Sequence, residues 1–241
     1  MIPASDWLPY CGQAPDPGAL LARWNFDPVL IAVIVLATLW GWRQSERPAA
    51  VASAALMAVL LFVSPVCAFT SALFAVRSTH HVLILAGLAP LLAMALPRET
   101  RAGSLGWWTG SGAVVLWAWH LPQVYAASLS SDLVYWLMQL ALLGTATGSW
   151  LTARSAGPGA AILACLANVV QTGLLGALLT VAPRAVYAPH ALTTAAWGLT
   201  PLADQQLGGL IMWVPGAGLY LAAALVLLRR LLVAEPAPAL R

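Results

Sequence analysis

The sequence predicts an all-α, polytopic membrane protein of seven transmembrane helices, with its N-terminus outside and its C-terminus in the cytoplasm. Three observations carry that prediction. Of 241 residues, 61% are hydrophobic and only 8% are charged, against about 25% charged residues in an average soluble domain. Such a chain lacks the charge to cover a water-facing surface, which argues against a soluble enzyme, a nucleic-acid binder, a disordered chain and a disulfide scaffold. Second, cutting the chain at its Asp, Glu and Arg residues leaves uncharged intervals near the roughly 20 residues a helix needs to cross hydrocarbon. Third, all 11 basic residues are Arg and they fall unevenly between the ends of those intervals.

Residues 1–27 read as an extracytoplasmic tail rich in proline and aromatics. No basic start followed at once by an apolar stretch occurs, so a cleavable signal peptide is not expected. The first helix, 28–43, is short, but Trp40, Trp42 and Arg43 suit an interface anchor. Helices are expected next at 50–70, 78–97, 106–128, 133–153 and 158–182. Pro122 removes a backbone donor and should kink the fourth; Pro65, Pro90 and Pro215 are candidate kinks elsewhere. The interval 185–203 holds Tyr187, Pro189, His190, Thr193, Thr194 and Pro201, which suit a loop or a re-entrant segment. The seventh helix is expected at 204–230, closing a 28–230 transmembrane domain, and 231–241 reads as a cytoplasmic tail. Runs such as Ala54–Val63 and Leu221–Leu228 do not alternate in polarity, so the closed barrel, the other membrane solution, is set aside.

Arg placement sets the direction. Arg43, Arg47, Arg98, Arg101, Arg154, Arg229, Arg230 and Arg241 fall on one side; Arg23, Arg77 and Arg184 fall on the other. The richer side is read as cytoplasmic. All four histidines then lie toward the outer face: His80 and His81 at the start of the third helix, His120 in the fourth, and His190 in the last outer loop. Asp204 opens the seventh helix. Asp204, Gly208 and Met212 share one helix face, with Met212 about 12 Å deeper. Cys11 and Cys67 share the outer compartment, where a disulfide, joint metal ligation and two independent core positions all remain open. Ionisable groups in a bilayer are functional candidates by default. His, Met and Cys are the ligand set that suits copper, the sulfur ligands favouring its cuprous form. The plainer reading stands beside it, since an interfacial His often only hydrogen-bonds a carbonyl and a helical Met often fills a gap. No CxxC, HxxxH or HExxH spacing occurs. Asn168, Gln171 and Thr172 fall on one face of the sixth helix and read as interhelical hydrogen-bond groups rather than a transport path.

Four stretches carry a resemblance. Tyr10-Cys11-Gly12 with Ala14-Pro15, Arg23-Trp24 and Asp27-Pro28 is the first. His81-Val82-Leu83 leading to Ala89-Pro90-Leu91-Leu92 is the second. Trp119-His120-Leu121-Pro122 with Tyr125 is the third. The last is Asp204-Gln205-Gln206 with Gly208-Gly209 and Met212-Trp213-Val214-Pro215-Gly216. In this order, through nearly the whole chain, they resemble the CtaG-type (caa3-type) cytochrome c oxidase assembly proteins. The chain departs from that pattern at Arg77, where members often carry another histidine one turn before His81.

The resemblance implies a seven-helix protein of the bacterial cytoplasmic membrane, not an enzyme. Its implied task is to assist copper delivery or insertion into the catalytic subunit of a haem–copper oxidase. Transient, cuprous copper is the expected cargo. The expected partners are the lipid bilayer, the oxidase subunit and a soluble extracytoplasmic copper chaperone, with no nucleic acid. His81, His120 and Asp204 are the core of the expected site, with His80, Met212, Cys11, Cys67 and His190 around it. Neutral imidazole and a carboxylate can hold the ion, or Asp204 can orient a ligating His. Two rival readings stand beside it: a metal-free scaffold for oxidase assembly, to which small residues such as Gly106, Gly208 and Gly209 would give close helix contacts, and a transporter of a small solute or of copper, for which the inner halves of the helices hold little polar besides Asn168 and Gln171.

Overall fold

The computed structural model describes residues 9–97, 100 and 103–233, and among them every regular element is a helix. The helices are α1 (Pro28–Gln44), α2 (Pro48–Ala58), α3 (Pro65–Ala72), α4 (Phe74–Leu83), α5 (Ala89–Ala95), α6 (Leu105–Trp119), α7 (Pro122–Ser128), α8 (Asp132–Ala153), α9 (Pro158–Val181), α10 (Pro201–Ile211) and α11 (Ala217–Val233). Many open on proline, at Pro28, Pro48, Pro65, Pro122, Pro158 and Pro201. The first turn is where a missing N–H costs nothing and a fixed φ is already helical. Asp27, Ser64, Ser104 and Thr200 cap helix starts, each side chain accepting from a first-turn amide.

Three spans contain a π-helical turn, at Val59–Val63, Ile84–Leu88 and Met212–Gly216. In each, an amide reaches back five residues instead of four: Ser64 to Val59, Ala89 to Ile84, and Ala217 to Met212. Pro65, Pro90 and Pro215 sit at these places. A ring that clashes with the carbonyl four back and offers no N–H forces the ladder to step over itself. The prolines expected as kinks therefore act in two ways. Pro90 and Pro215 leave their helices continuous through a π turn. Pro65 follows a break at Ser64, where the axis bends by 47°.

Pro122 does more than kink. α6 ends at Trp119, Leu121 is extended, and Pro122 starts α7. The residue before a proline is pushed out of the α region, so the expected 106–128 helix is two helices. α7 then turns by 114° into α8. The third helix also differs from its expected 78–97. It begins at Phe74, so Arg77 lies inside a helix rather than in an outer flank.

The last helix opens at Pro201 and runs to Val233, through a π turn. Residues 185–200 form a loop with 3₁₀ turns at Ala188–His190 and Ala195–Trp197, and the last three residues of the expected 185–203 interval belong to the helix. Arg98, Arg101, Arg241, Asp6, Glu99, Glu235 and the end of the 231–241 tail lie outside the described residues.

Three continuous helices are long and apolar enough to cross a membrane: Phe74–Ala95, Pro158–Val181 and Pro201–Val233. The number rises to five if each of the bent pairs Pro48–Ala72 and Pro122–Ala153 is one span, and α1 is a shorter apolar helix. α9 packs on α10, α11 and α6, while α8 joins α6 to α5, and α4 lies against α10 and α3. Large apolar side chains such as Val33, Leu36, Leu137, Leu140, Leu163, Val170, Leu225 and Leu232 point outward, the surface a lipid-embedded bundle presents.

α9 and α10 approach closely. A Cβ on Gly176 would lie 2.6 Å from the Gly209 carbonyl oxygen, and one on Gly209 would lie 2.6 Å from that of Gly176. Only glycine on both helices permits such contact. α6 and α9 are joined by Trp117, whose indole N–H donates to Gln171 at 2.8 Å, the interhelical role expected of that polar face. Asn168 bonds back to Ala164 within α9. At the end of α5, Arg154 donates to the carbonyls of Ala93, Leu96 and Pro97.

The N-terminal segment is not a loose tail from residue 9 on. Cys11 and Cys67 form a disulfide with a Cα–Cα distance of 5.4 Å. Asn25 donates its backbone N–H to Val63 and its side-chain amide to Phe62. Trp197 donates to Pro15 at 3.2 Å, and Tyr10 stacks on Tyr135. The Tyr10 hydroxyl donates to Asp27 at 2.6 Å. That bond holds the Asp27 carboxyl below its usual range, and burial pushes the Tyr10 phenol up.

Candidate functional site

The site is built on the first two turns of α4. Asp204 of α10 accepts from the amides of Phe74 (2.7 Å) and Ala75 (3.0 Å). These are donors a helix start leaves without an intrahelical partner, and a carboxylate there also suits the helix dipole. This cap extends α4 a turn earlier than the sequence suggested. One turn along α10, a Cβ on Gly208 would lie 2.5 Å from Phe74, so the absence of a side chain lets α10 meet α4.

From that start α4 projects Arg77, Ser78, His80 and His81 into the bundle, all at most 1% exposed. His80 meets the Leu61 carbonyl through Nε2 at 3.1 Å. Leu61 lies in the π turn before α3, so the wide turn supplies the acceptor. His81 has no hydrogen-bond partner on either ring nitrogen. Its ring lies 5.6 Å from that of His120, nearly perpendicular. His120 closes α6, and its Nδ1 meets the Leu116 carbonyl at 2.7 Å while Nε2 has no partner. A carbonyl accepts only, so Nδ1 carries the proton and Nε2 keeps its lone pair. That is the state in which an imidazole binds a metal, with the carbonyl as outer-shell orienter.

An aromatic set covers this pair. Phe74 stacks on Tyr187 at 4.2 Å and lies edge-on to His120 at 6.4 Å. The Tyr187 hydroxyl donates to the His120 carbonyl at 2.9 Å, and Tyr125 contacts Tyr187 and Phe74. His190, carried in by the 185–203 loop, is 1% exposed and hydrogen-bonds the Tyr125 hydroxyl through Nε2 at 2.6 Å. Burial, reinforced by the charge of Arg77, pushes the His190 imidazole down to about 3, so it is neutral at physiological pH.

The eight expected site residues thus separate. His80, His81 and His120 form a run of ring contacts, and His190 joins it through Phe74. Asp204 uses both oxygens as a helix cap, and the task of orienting His120 falls to Leu116. Met212 is buried in its π turn with its Cβ toward Gly176 of α9. Cys11 and Cys67, joined as a disulfide, offer no thiolate in that form. Among the described residues no three His, Cys, Asp or Glu side chains are placed to hold a metal ion together.

Sequence reasoning missed Phe74 and Tyr187 as parts of the site, and it placed Arg77 in a loop. The signal for Arg77 was there, since it stands four residues before His81, on the same helix face.

A profile of the cytochrome c oxidase caa3 assembly factor family matches residues 111–234, just over half of the chain. Neither a curated protein nor a solved structure matches the chain. The family match spans His120, Tyr125, Tyr187, His190 and Asp204, so most of the helices that enclose the histidines lie within it. On that match the chain belongs to the cytochrome c oxidase caa3 assembly factor family.

Proposed function

We propose that this chain serves oxidase assembly by receiving cuprous copper at His81 and His120 and passing it to the catalytic subunit of a haem–copper oxidase. Copper is its cargo, and the chain is an assembly factor rather than an enzyme. One observation carries the reading: two buried imidazoles meet edge to face with centres 5.6 Å apart, His120 with an unpartnered Nε2 and His81 with no hydrogen-bond partner on either nitrogen. Imidazole suits copper, and a site of two ligands can release what it takes. His80 and His190 extend the same run of rings.

The topology that fits is seven passes: α1; α2 with α3; α4 with α5; α6; α8, with α7 turned across its end; α9; and α10 with α11. The disulfide supports placing the histidine end on the outer face, because such bonds persist in oxidising compartments. That face is where a soluble copper chaperone would meet the protein, in the bacterial cytoplasmic membrane.

The test is copper analysis of protein purified under reducing conditions. Wild type is expected to hold copper that a His81→Ala, His120→Ala double variant does not. Equal copper in both overturns the cargo reading. A second reading, a metal-free scaffold for the nascent oxidase subunit, is favoured by one observation: no three ligand-type side chains converge among the described residues. Full oxidase activity in a deletion strain complemented with the double variant would select it.

A further inference from the structure

Arg77 plays no part in holding copper at His81 and His120, and its surroundings are unusual. Its side chain is 1% exposed, and Nε, Nη1 and Nη2 all lack a hydrogen-bond partner. A guanidinium does not lose its proton in a protein, so the charge stays. Burying an unpaired charge is strongly unfavourable. Among the described residues Asp204 is the sole buried acid, and its oxygens accept from the Phe74 and Ala75 amides instead.

What surrounds the guanidinium is neutral and able to donate. Its field reaches His80, His81, Tyr125, Tyr135 and His190. Its Cζ lies 5.6 Å from the centre of the Tyr135 ring, an arrangement that helps a cation, and the hydroxyl beside it is that of Tyr125, a neutral group that leaves the charge uncompensated. One turn beyond Tyr135 on α8, Gln139 is 1% exposed, and its amide has no partner besides the neighbouring Tyr135 hydroxyl. The cluster therefore holds one uncompensated positive charge, several free donors and no negative group.

We propose that Arg77 anchors a buried binding site for a small monovalent anion of about the size of chloride, between α4 and α8. One charge calls for one charge. Tyr125 and Tyr135 are themselves at most 1% exposed, and in so close-packed a surrounding a compact ion displaces least. Water could bond the N–H groups but would leave the charge uncompensated. The Gln139 amide, one turn along from Tyr135, is the second donor.

The experiment is thermal unfolding of the full chain in lipid nanodiscs, prepared free of halide, in sodium gluconate or sodium chloride at equal ionic strength. Wild type is expected to gain about 3 °C or more in Tm in 100 mM chloride, saturating with concentration. Arg77→Met is expected to show no chloride-specific gain. Equal Tm values in the two salts for wild type overturn the proposal, as does a chloride gain retained by Arg77→Met. An equal gain in sulfate overturns the charge and size assignment. If Arg77→Met does not fold, ³⁵Cl line broadening on wild type decides: broadening that bromide competes away supports the site, and its absence overturns it.

Discussion

α4 has two buried ionic neighbours within a single turn, and they are built in opposite ways. At its start, the Asp204 carboxylate is met by two backbone amides, and Gly208 clears the way for Phe74. One turn later, the Arg77 guanidinium is buried equally well and met by nothing that neutralises it. On that side the bundle is held by neutral devices: the Cys11–Cys67 disulfide, the Tyr10–Tyr135 stack and the tyrosine cluster. The difference separates architecture from opportunity. A satisfied buried charge specifies how two helices meet. An unsatisfied one marks a place where something else is expected to bind.

Five measurements put that contrast at risk, and they differ widely in the size of the response. Asp204→Ala should cost about 3–6 kcal/mol, because two charge-assisted bonds of about 1.5–3 kcal/mol each are lost and two amides are orphaned. Thermal or denaturant unfolding reads it, and a loss below about 1 kcal/mol would mean the cap is not what joins α10 to α4. Reducing the disulfide, or Cys67→Ser, should cost about 4 kcal/mol for a closed loop of 56 residues. Unfolding with and without reductant reads that cost, and no change would remove the staple from the Arg77 side. Arg77→Met should act with the opposite sign to Asp204→Ala. In halide-free buffer it should be neutral or stabilising by up to about 4 kcal/mol, as when a buried ion gives way to apolar packing. A clear destabilisation there would show that Arg77 already has its counter-charge. Gly208→Ala should cost about 1–3 kcal/mol by overpacking against Phe74, again read by unfolding.

The weakest response concerns the tail. The Asp27 carboxyl is held below its ordinary range first by the Tyr10 hydroxyl. A depressed carboxyl contributes stability above its unfolded value, and that contribution is lost as pH falls through the folded one. Tyr10→Phe should therefore raise the pH at which the tail releases in acid. Fluorescence of Trp136, whose ring lies edge-on to Tyr10 at 5.1 Å, reads the release, and an unchanged acid midpoint would remove Tyr10 as the cause.

Much of the helical order was legible because charge is so scarce that its absence marks spans. The expected 28–43, 133–153 and 158–182 helices match α1, α8 and α9 to within two residues. The breaks were harder. Pro122 was visible as a kink, yet whether a proline bends a helix or ends it depends on what packs on both sides. The π turns left only their prolines as a sign, since a five-residue reach depends on tertiary contacts. The pairing of His81 with His120 was partly legible, because direction put both near one end. Their closeness and the proton position on His120 depend on Leu116 and on where α6 stops. Arg77 was misread for a physical reason. The rule that assigns direction treats each Arg as a marker of water, and an Arg drawn into a helix by a cap from α10 breaks that rule.

The π turn at Ile84–Leu88 has a consequence for how this sequence can change. It holds one residue more than an α-helix would use. A one-residue deletion there would be absorbed without breaking the helix, by closing the turn. The half beyond it would keep its facing relative to His80 and His81, because a five-residue π turn and a four-residue α turn each close about one revolution. Ala89 and Ala93 would stay buried. A one-residue gap in this stretch of a related sequence would therefore signal a lost π turn rather than a repacked helix.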